Sequence, residues 1–126
     1  MSSILRGVFM SGINFVFVDQ VLPRSNARLR NLLIDIGRIG DLNYVRDGGD
    51  HVAVGALTTM EEAHFSELLE RECPILAHTA GEVGDPQVRH RGTVGGTVAH
   101  ADPASDIPTV LLALDATLVV RGPDGE

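Results

Sequence analysis

The chain has 126 residues, of which 44% are hydrophobic and 21% are charged. These proportions exclude intrinsic disorder and a low-complexity fibre, and the length excludes a large multidomain enzyme while allowing one buried core. Seventeen acidic residues outweigh ten basic ones, and the formal charge of -7 argues against nucleic acid as a main partner.

The N-terminal region and the cysteine content indicate the cellular compartment of the protein. Cys73 is the single cysteine, so an internal disulfide and a cysteine-only metal or iron–sulfur site are excluded, and a reducing compartment is favoured. The apolar run at residues 8–10 is interrupted by Ser11, Gly12 and Asn14, which leaves it too short for a membrane span, and no small-residue cleavage site follows. These features predict a cytoplasmic protein without a membrane span.

Strand signals recur along the chain. Residues 13–18 predict a strand and residues 23–31 a loop, whereas the Leu-Leu-Ile-Asp-Ile run at 32–36 predicts a short buried strand. A hairpin is predicted for residues 43–55, because the Asp-Gly-Gly-Asp turn at 47–50 tolerates the positive φ of tight turns. Residues 116–121 predict a last strand before a Gly-Pro-Asp-Gly turn. The chain is therefore expected to stop inside a hairpin, with an edge of that strand lacking a partner.

Helix-start signals predict three helices between these strands. Thr59 and Glu62 form a capping-box pattern, in which each side chain satisfies a free backbone N–H, at the start of a helix over about 60–71. Pro74 suits the first turn of a second helix that runs toward Gly81. Asp106 is predicted as the N-cap of a third helix over 107–114.

Residues 84–106 contain the pattern that most indicates a ligand-binding site. Paired glycines at 95 and 96 predict a tight turn before a strand-like stretch at 97–99, and consecutive N–H groups in such a turn can bind a pyrophosphate. Thr93 and Thr97 add hydroxyls, and Asp102 and Asp106 could accept hydrogen bonds from sugar hydroxyls. A Gly-Gly pair alone is most often only a turn. The segment has no Gly-x-Gly-x-x-Gly, and a P-loop is excluded because all ten basic residues are arginine.

The whole segment resembles a known family. Residues 88–96 read Val-Arg-His-Arg-Gly-Thr-Val-Gly-Gly and residues 100–103 read His-Ala-Asp-Pro. This string is similar to the FAD-binding domain of the flavin (medium) subunit of molybdenum hydroxylases, of the carbon monoxide, aldehyde or xanthine dehydrogenase type. The resemblance covers roughly residues 32–126. It implies an α+β fold, the central subdomain of the molybdopterin-dehydrogenase-type FAD-binding fold, with a mixed or antiparallel sheet and flanking helices.

The resemblance also implies a site. The family holds the FAD pyrophosphate with its Thr-hydrophobic-Gly-Gly turn, and the residues that follow contact the rest of the cofactor. The implied FAD-binding residues are Thr93, Val94, Gly95, Gly96, Thr97, His100, Asp102 and Asp106. No catalytic residue or metal ligand is implied for this chain. The molybdenum cofactor and the iron–sulfur clusters are expected on partner subunits, a molybdenum-containing large subunit and an iron–sulfur small subunit.

Two departures from the family pattern bear on this interpretation. Position 97 is often Asn or Ser in the family and is Thr here. The family's second glycine-rich turn, Ala-Gly-Gly-x-Ser-Leu, supplies the other half of the pyrophosphate cradle, and residues 11–18 do not match it. We therefore divide the chain into an atypical segment, 1–31, and an FAD-binding subdomain, 32–126, truncated in a C-terminal hairpin, and expect weak FAD binding.

The implied function is that of a flavin subunit, or a fragment of one, that passes electrons from iron–sulfur clusters through FAD to an acceptor. One alternative is a truncated relic that binds no flavin and acts at most as an interaction module. Another is an independent nucleotide-binding domain for a different cofactor.

Structural roles are predicted for the remaining polar residues. The five histidines show no paired metal-ligand spacing. Arg89 and Arg91 are predicted to pair with neighbours such as Asp85 more often than to bind phosphate, and Asp85 is predicted to cap or turn the chain. Cys73 is predicted to be buried. The glutamates of 61–72 are predicted to form a solvated helix face.

Overall fold

A computed structural model describes the backbone of residues 3–10, 20–21 and 37–121 and the side chains of residues 37–119. The strands predicted at 13–18 and 32–36 and the turn predicted at 122–125 lie outside the described residues. Six α-helices, one short 3-10 helix (Gly40–Leu42) and five strands are found within them.

The five strands form one antiparallel sheet around β1 (Ser3–Met10), which pairs with β2, β4 and β5. The other strands are β2 (Gln20–Val21), β3 (Val45–Asp47), β4 (Val52–Val54) and β5 (Ala116–Arg121). The strand order β2-β1-β4-β3, with β5 also on β1, brings the C-terminal strand next to the N-terminal one.

The sequence does not predict β1, because Arg6 and Gly7 interrupt its apolar pattern. β5 pairs with β1 from Ile4↔Arg121 to Met10↔Ala116, and the register shifts between Leu5 and Gly7. Such a bulge lets a strand continue past an unpaired residue. The predicted strand at 116–121 is confirmed, and it has a partner along one edge that the sequence did not reveal.

The predicted hairpin is confirmed as β3 and β4. Val45 lies opposite Val54, and Asp47 lies opposite Val52. The turn between them needs Gly49, whose φ of 88° is in the left-handed region that side chains disfavour. Asp47 Oδ1 accepts from Gly49 N at 2.7 Å, which fixes the turn.

The helices follow β4 and flank the sheet. They are α1 (Met60–His64), α2 (Glu67–Glu72), α3 (Pro74–Glu82), α4 (Pro86–Arg89), α5 (Val94–His100) and α6 (Asp106–Ala113). The capping box of Thr59 and Glu62 and the place of Pro74 in the first turn of α3 are confirmed. The single helix predicted over 60–71 is wrong: Ser66 caps a new helix by accepting from Leu69 N, so α1 ends at His64.

The core lies where the helices pack against one another and against β4. Its largest fully buried side chains include Met60 of α1, Leu76 of α3, Val94 of α5 and Ile107 of α6. Cys73, as predicted, is buried among them. This packing fixes the start of α5 relative to α1 and α6. In the part of the chain described here, no helix has the length and apolarity needed to cross a bilayer.

Candidate cofactor-binding cleft

Thr93 starts the helix α5. Its backbone is extended, and its Oγ1 accepts from Gly96 N at 3.0 Å. The predicted turn at 95–96 and strand at 97–99 are therefore wrong, since residues 94–100 form one helical segment. Glycine has low helix propensity, but the cap and the contacts of the first turn with the rest of the protein outweigh that cost.

The start of α5 is tied to the loop before α1. Val94 N donates to Thr58 O and Gly95 N donates to Ala56 O, each at 2.9 Å. Gly92 O in turn accepts from Met60 N at 2.9 Å. The sequence predicted free backbone N–H groups at this turn. The N–H groups of residues 94–96 instead all have acceptors within the protein. A ligand at this helix start would therefore contact side chains and the exposed Gly96.

A cleft of about 440 Å³ opens beside this helix start. Five of the eight residues implied by the resemblance line it: Thr93, Gly96, Thr97, His100 and Asp102. Arg91, Gly92 and Ser105 complete the lining. Residues with hydroxyl, imidazole, carboxylate and guanidinium groups are therefore among those that line it.

The other three implied residues do not line the cleft. The side chain of Val94 is 1% exposed and packs in the core, and Gly95 is buried behind the cleft. Asp106 is exposed in the first turn of α6. The prediction that Asp106 is the N-cap is wrong by one residue, because Ser105 keeps the extended conformation at the cap position and Asp106 is already helical.

A left-handed residue ends α5 and orients the far side of the cleft. Ala101 has a φ of 56°, a conformation that costs a non-glycine residue about 1–2 kcal/mol. It turns the chain so that His100 and Asp102, on either side of it, both line the cleft. Asp102 Oδ1 accepts from Ala104 N at 2.9 Å, which holds its carboxylate in place.

Arg89 fixes the loop that leads into the cleft. Its Nε donates to Glu61 Oε2 at 3.3 Å, and its Nη1 donates to Gly84 O at 3.1 Å. The structural role predicted for Arg89 is confirmed, but its partner is Glu61 of α1 and not Asp85. Asp85 caps α4, as predicted, by accepting from Val88 N. Glu61 is half-buried in this pair, so the prediction that it belongs to a solvated face is wrong.

Arg91, two residues further on, differs from Arg89 in its contacts. Within residues 37–119 no ion pair of Arg91 is found, although the sequence predicted a neighbouring partner. Its position directly before Gly92 and Thr93 was the available signal that it belongs to the site. Ser105 was also missed, because only the fold of the 101–105 turn brings it back to α5.

The described histidines and acidic residues form no cluster that could hold a metal ion: no three His, Cys, Asp or Glu side chains of residues 37–119 converge. His64 Nδ1 donates to Ala77 O at 3.0 Å, which joins α1 to α3. Burial raises the pKa of the Cys73 thiol, and a hydrogen bond with the Leu76 backbone opposes this only in part.

The chain matches the family described as the FAD binding domain in molybdopterin dehydrogenase over residues 20–126. The carbon monoxide dehydrogenase medium chain of Hydrogenophaga pseudoflava is 42% identical over 93 residues, 74% of this chain and 32% of that relative. The glyceraldehyde dehydrogenase medium chain of Sulfolobus acidocaldarius is 40% identical over 93 residues, 74% of this chain and 33% of that relative. The chain thus spans about a third of the length of these relatives.

A solved structure shows the same fold. It is carbon monoxide dehydrogenase from Hydrogenophaga pseudoflava in a form that lacks the Mo-pyranopterin moiety of the molybdenum cofactor. The TM-score is 0.63 and the identity 35%, over 68% of this chain and 33% of that chain. The α+β fold class and the FAD cofactor implied by the sequence are confirmed, while the boundary at residue 32 stays a prediction. The chain belongs to the family of FAD-binding domains in molybdopterin dehydrogenases.

Proposed function

We propose that this chain supplies an FAD-binding cleft to the flavin subunit of a molybdenum hydroxylase-type dehydrogenase. The observation that carries the proposal is the cleft beside α5, which Thr93, Gly96, Thr97, His100 and Asp102 line in a chain of an FAD-binding family. Bound FAD would supply the electron-transfer chemistry, and the protein binds and orients it.

The groups that line the cleft fit a polyhydroxylated cofactor. Thr93 Oγ1 accepts from Gly96 N and so keeps its own hydrogen to donate to a ligand. Thr97 Oγ1 donates to Thr93 O at 3.1 Å and so keeps lone pairs to accept. The carboxylate of Asp102 adds a second acceptor, suited to sugar or ribityl hydroxyls.

Gly96 lets a ligand approach the helix. It is exposed on the cleft, and a Cβ added there would lie 3.0 Å from Thr93 Oγ1. A side chain at this position would therefore crowd the capping hydroxyl and occupy the approach to the cleft at the same time. The absence of a Cβ at Gly96 fits close contact between the backbone of α5 and a cofactor.

The similarity to medium chains of dehydrogenases supports the assignment of this chain to the flavin subunit of a multi-subunit enzyme. We propose that its partners there are an iron–sulfur small subunit and a molybdenum-containing large subunit. FAD held in this cleft would supply the route by which electrons from the clusters reach an external acceptor. We assign no substrate acid or base to this chain, and we propose a cytoplasmic location, which the free and buried Cys73 supports.

Titration of FAD into the full chain tests the proposal, with quenching of flavin fluorescence as the signal and circular dichroism as the check of folding. We expect saturable quenching, weaker binding of FMN, which lacks the diphosphate and adenosine, and competition by ADP. A folded chain that does not quench FAD would support the alternative of a relic without flavin. Equal affinity for FMN would contradict a role for this cleft in holding the diphosphate.

A further inference from the structure

An apolar cleft of about 170 Å³ lies where α6 meets β5. Its lining residues are all apolar, and none of them lines the cofactor cleft: Val98, Pro108, Leu111, Leu112, Ala116 and Leu118. Leu112 is 82% exposed and Leu118 is 45% exposed. Single exposed apolar residues are common on protein surfaces, but two of them beside one apolar cleft indicate a surface that another polypeptide covers.

β5 lies at an edge of the described sheet. Among the five described strands it pairs only with β1. The side of β5 that faces away from β1, which we call the outer edge, therefore has no partner among these strands. The unpaired N–H and C=O groups of such an edge are a template for another strand. Ala116 and Leu118 of β5 line the apolar cleft, so this cleft lies beside the same strand.

The sequence of β5 indicates which strand fits its outer edge. Residues 116–120 read Ala-Thr-Leu-Val-Val and carry no charge. Asp115, directly before β5, is exposed and forms no ion pair within residues 37–119. The last residue of the strand is the basic Arg121. With an acidic residue at one end and a basic residue at the other, the strand is complementary to an antiparallel copy of itself.

We propose that the outer edge of β5 pairs antiparallel with β5 of a second copy of this chain. In the register centred on Leu118, this residue lies opposite its own counterpart, and Asp115 lies opposite Arg121 of the second copy. A parallel arrangement would instead place like charges beside each other. The twofold axis of the antiparallel pair is perpendicular to the sheet, so both apolar clefts lie on one face of a continuous sheet, with the two Leu112 side chains turned toward the axis.

Sedimentation equilibrium of the full chain over a range of concentrations tests this dimer, with circular dichroism as the check of folding. We expect a reversible monomer–dimer equilibrium. Leu112→Lys should weaken it about tenfold or more, because it places two like charges near the axis. The control is Phe65→Lys, which replaces another exposed apolar residue, at the end of α1, and should change the dissociation constant by no more than about twofold.

Disulfide cross-linking of cysteine variants tests the register. In Leu118→Cys the two thiols lie directly opposite each other, where Cα atoms about 4.5–5.5 Å apart allow a disulfide. In the control Thr117→Cys the two thiols are diagonal neighbours, about 7–8 Å apart. We expect mild oxidation to link Leu118→Cys into dimers much faster than Thr117→Cys. The native Cys73 is 1% exposed and does not compete.

Several outcomes would overturn the proposal. A chain that stays monomeric at every concentration has no such dimer, and a monomer whose β5 amides at the outer edge resist hydrogen exchange has this edge covered by its own residues. A dimer that Leu112→Lys leaves intact, or in which Thr117→Cys links as fast as Leu118→Cys, forms in another way. Growth into larger oligomers would contradict a closed twofold pair. Each outcome is independent of FAD, because the apolar and cofactor clefts share no residue.

Discussion

Gly96 is the residue at which a side chain should most directly oppose FAD. It is exposed on the cofactor cleft, and its missing Cβ leaves room beside Thr93 Oγ1. We expect Gly96→Asp to weaken FAD binding by about tenfold or more, because a carboxylate repels the diphosphate and fills the approach. An acidic residue in a first helical turn is favourable, so the variant should still fold.

The control for this substitution is Ala99→Asp, which adds the same charge to an exposed position of α5 that does not line the cleft. Flavin fluorescence titrations of both variants give the comparison. An unchanged FAD dissociation constant for Gly96→Asp, or equal losses in the two variants, would remove Gly96 from the site.

Glu62 makes stability depend on acid pH. Burial raises the pKa of Glu62, but hydrogen bonds from Asn43 and Thr59 outweigh it, so the pKa lies below its ordinary value of 4.5. A carboxyl whose pKa is lower in the folded state stabilises above its unfolded pKa and loses that contribution as pH falls through the folded value. We therefore expect the free energy of unfolding to fall below about pH 4.5 partly through Glu62.

Urea unfolding of Glu62→Gln at several pH values measures this contribution. Gln still accepts hydrogen bonds at the capping position, so the stability difference from the wild type should shrink as pH drops below 4.5. Glu70→Gln, on the exposed face of α2, serves as the control for the loss of one carboxylate. A difference for Glu62→Gln that does not depend on pH would contradict the assignment.

Local signals made single residues predictable. The cap residues Thr59 and Asp85 could be read from the sequence, because each bonds an N–H only three residues away. The partner of Arg89 could not, because Glu61 lies 28 positions earlier and reaches it only through the packing of α1 on α4. The cleft residues after Thr93 were predicted only through the resemblance to the family, and the structure places Arg91 beside them in the lining of the cleft.

At the scale of elements, α5 is the helix on which the cofactor cleft depends. Its N-cap bond from Gly96 N to Thr93 Oγ1 is lost in Thr93→Ala, and we expect about 1 kcal/mol lower stability. Thr93→Ser should restore most of that loss. Denaturant unfolding checks both, with Thr109→Ala as the control, since that hydroxyl lies within α6 and caps no helix. A Thr93→Ala protein as stable as the wild type would mean that the cap bond contributes nothing.

Elements with strong local patterns were predicted correctly, and the others depended on tertiary contacts. The β3–β4 hairpin and α3 have turn and proline signals of their own. By contrast, α5 contains two glycines and three β-branched residues, and it is helical because residues 58 and 56 accept its first N–H groups. β1 likewise gains its ladder from β5, more than a hundred residues away along the chain, which no local window can detect.

The reactivity of the Cys73 thiol measures how often the core of the whole protein opens to solvent. It lies 1% exposed between α2 and α3, and burial raises the pKa of its thiol. Only the thiolate reacts, so we expect a disulfide reagent to modify native Cys73 at least about a hundredfold more slowly than Cys73 in the urea-unfolded chain. A native rate equal to the unfolded rate would show that this core is open in solution.

We propose that FAD lies in the cleft beside α5. Backbone amide NMR spectra of the full chain, recorded while FAD is titrated in, test it most directly. We expect a folded spectrum in which the largest shifts cluster at residues 91–105, which contain the lining of this cleft. A folded chain whose amides do not shift at saturating FAD, or shift only at the exposed face of α6 and β5, would contradict it.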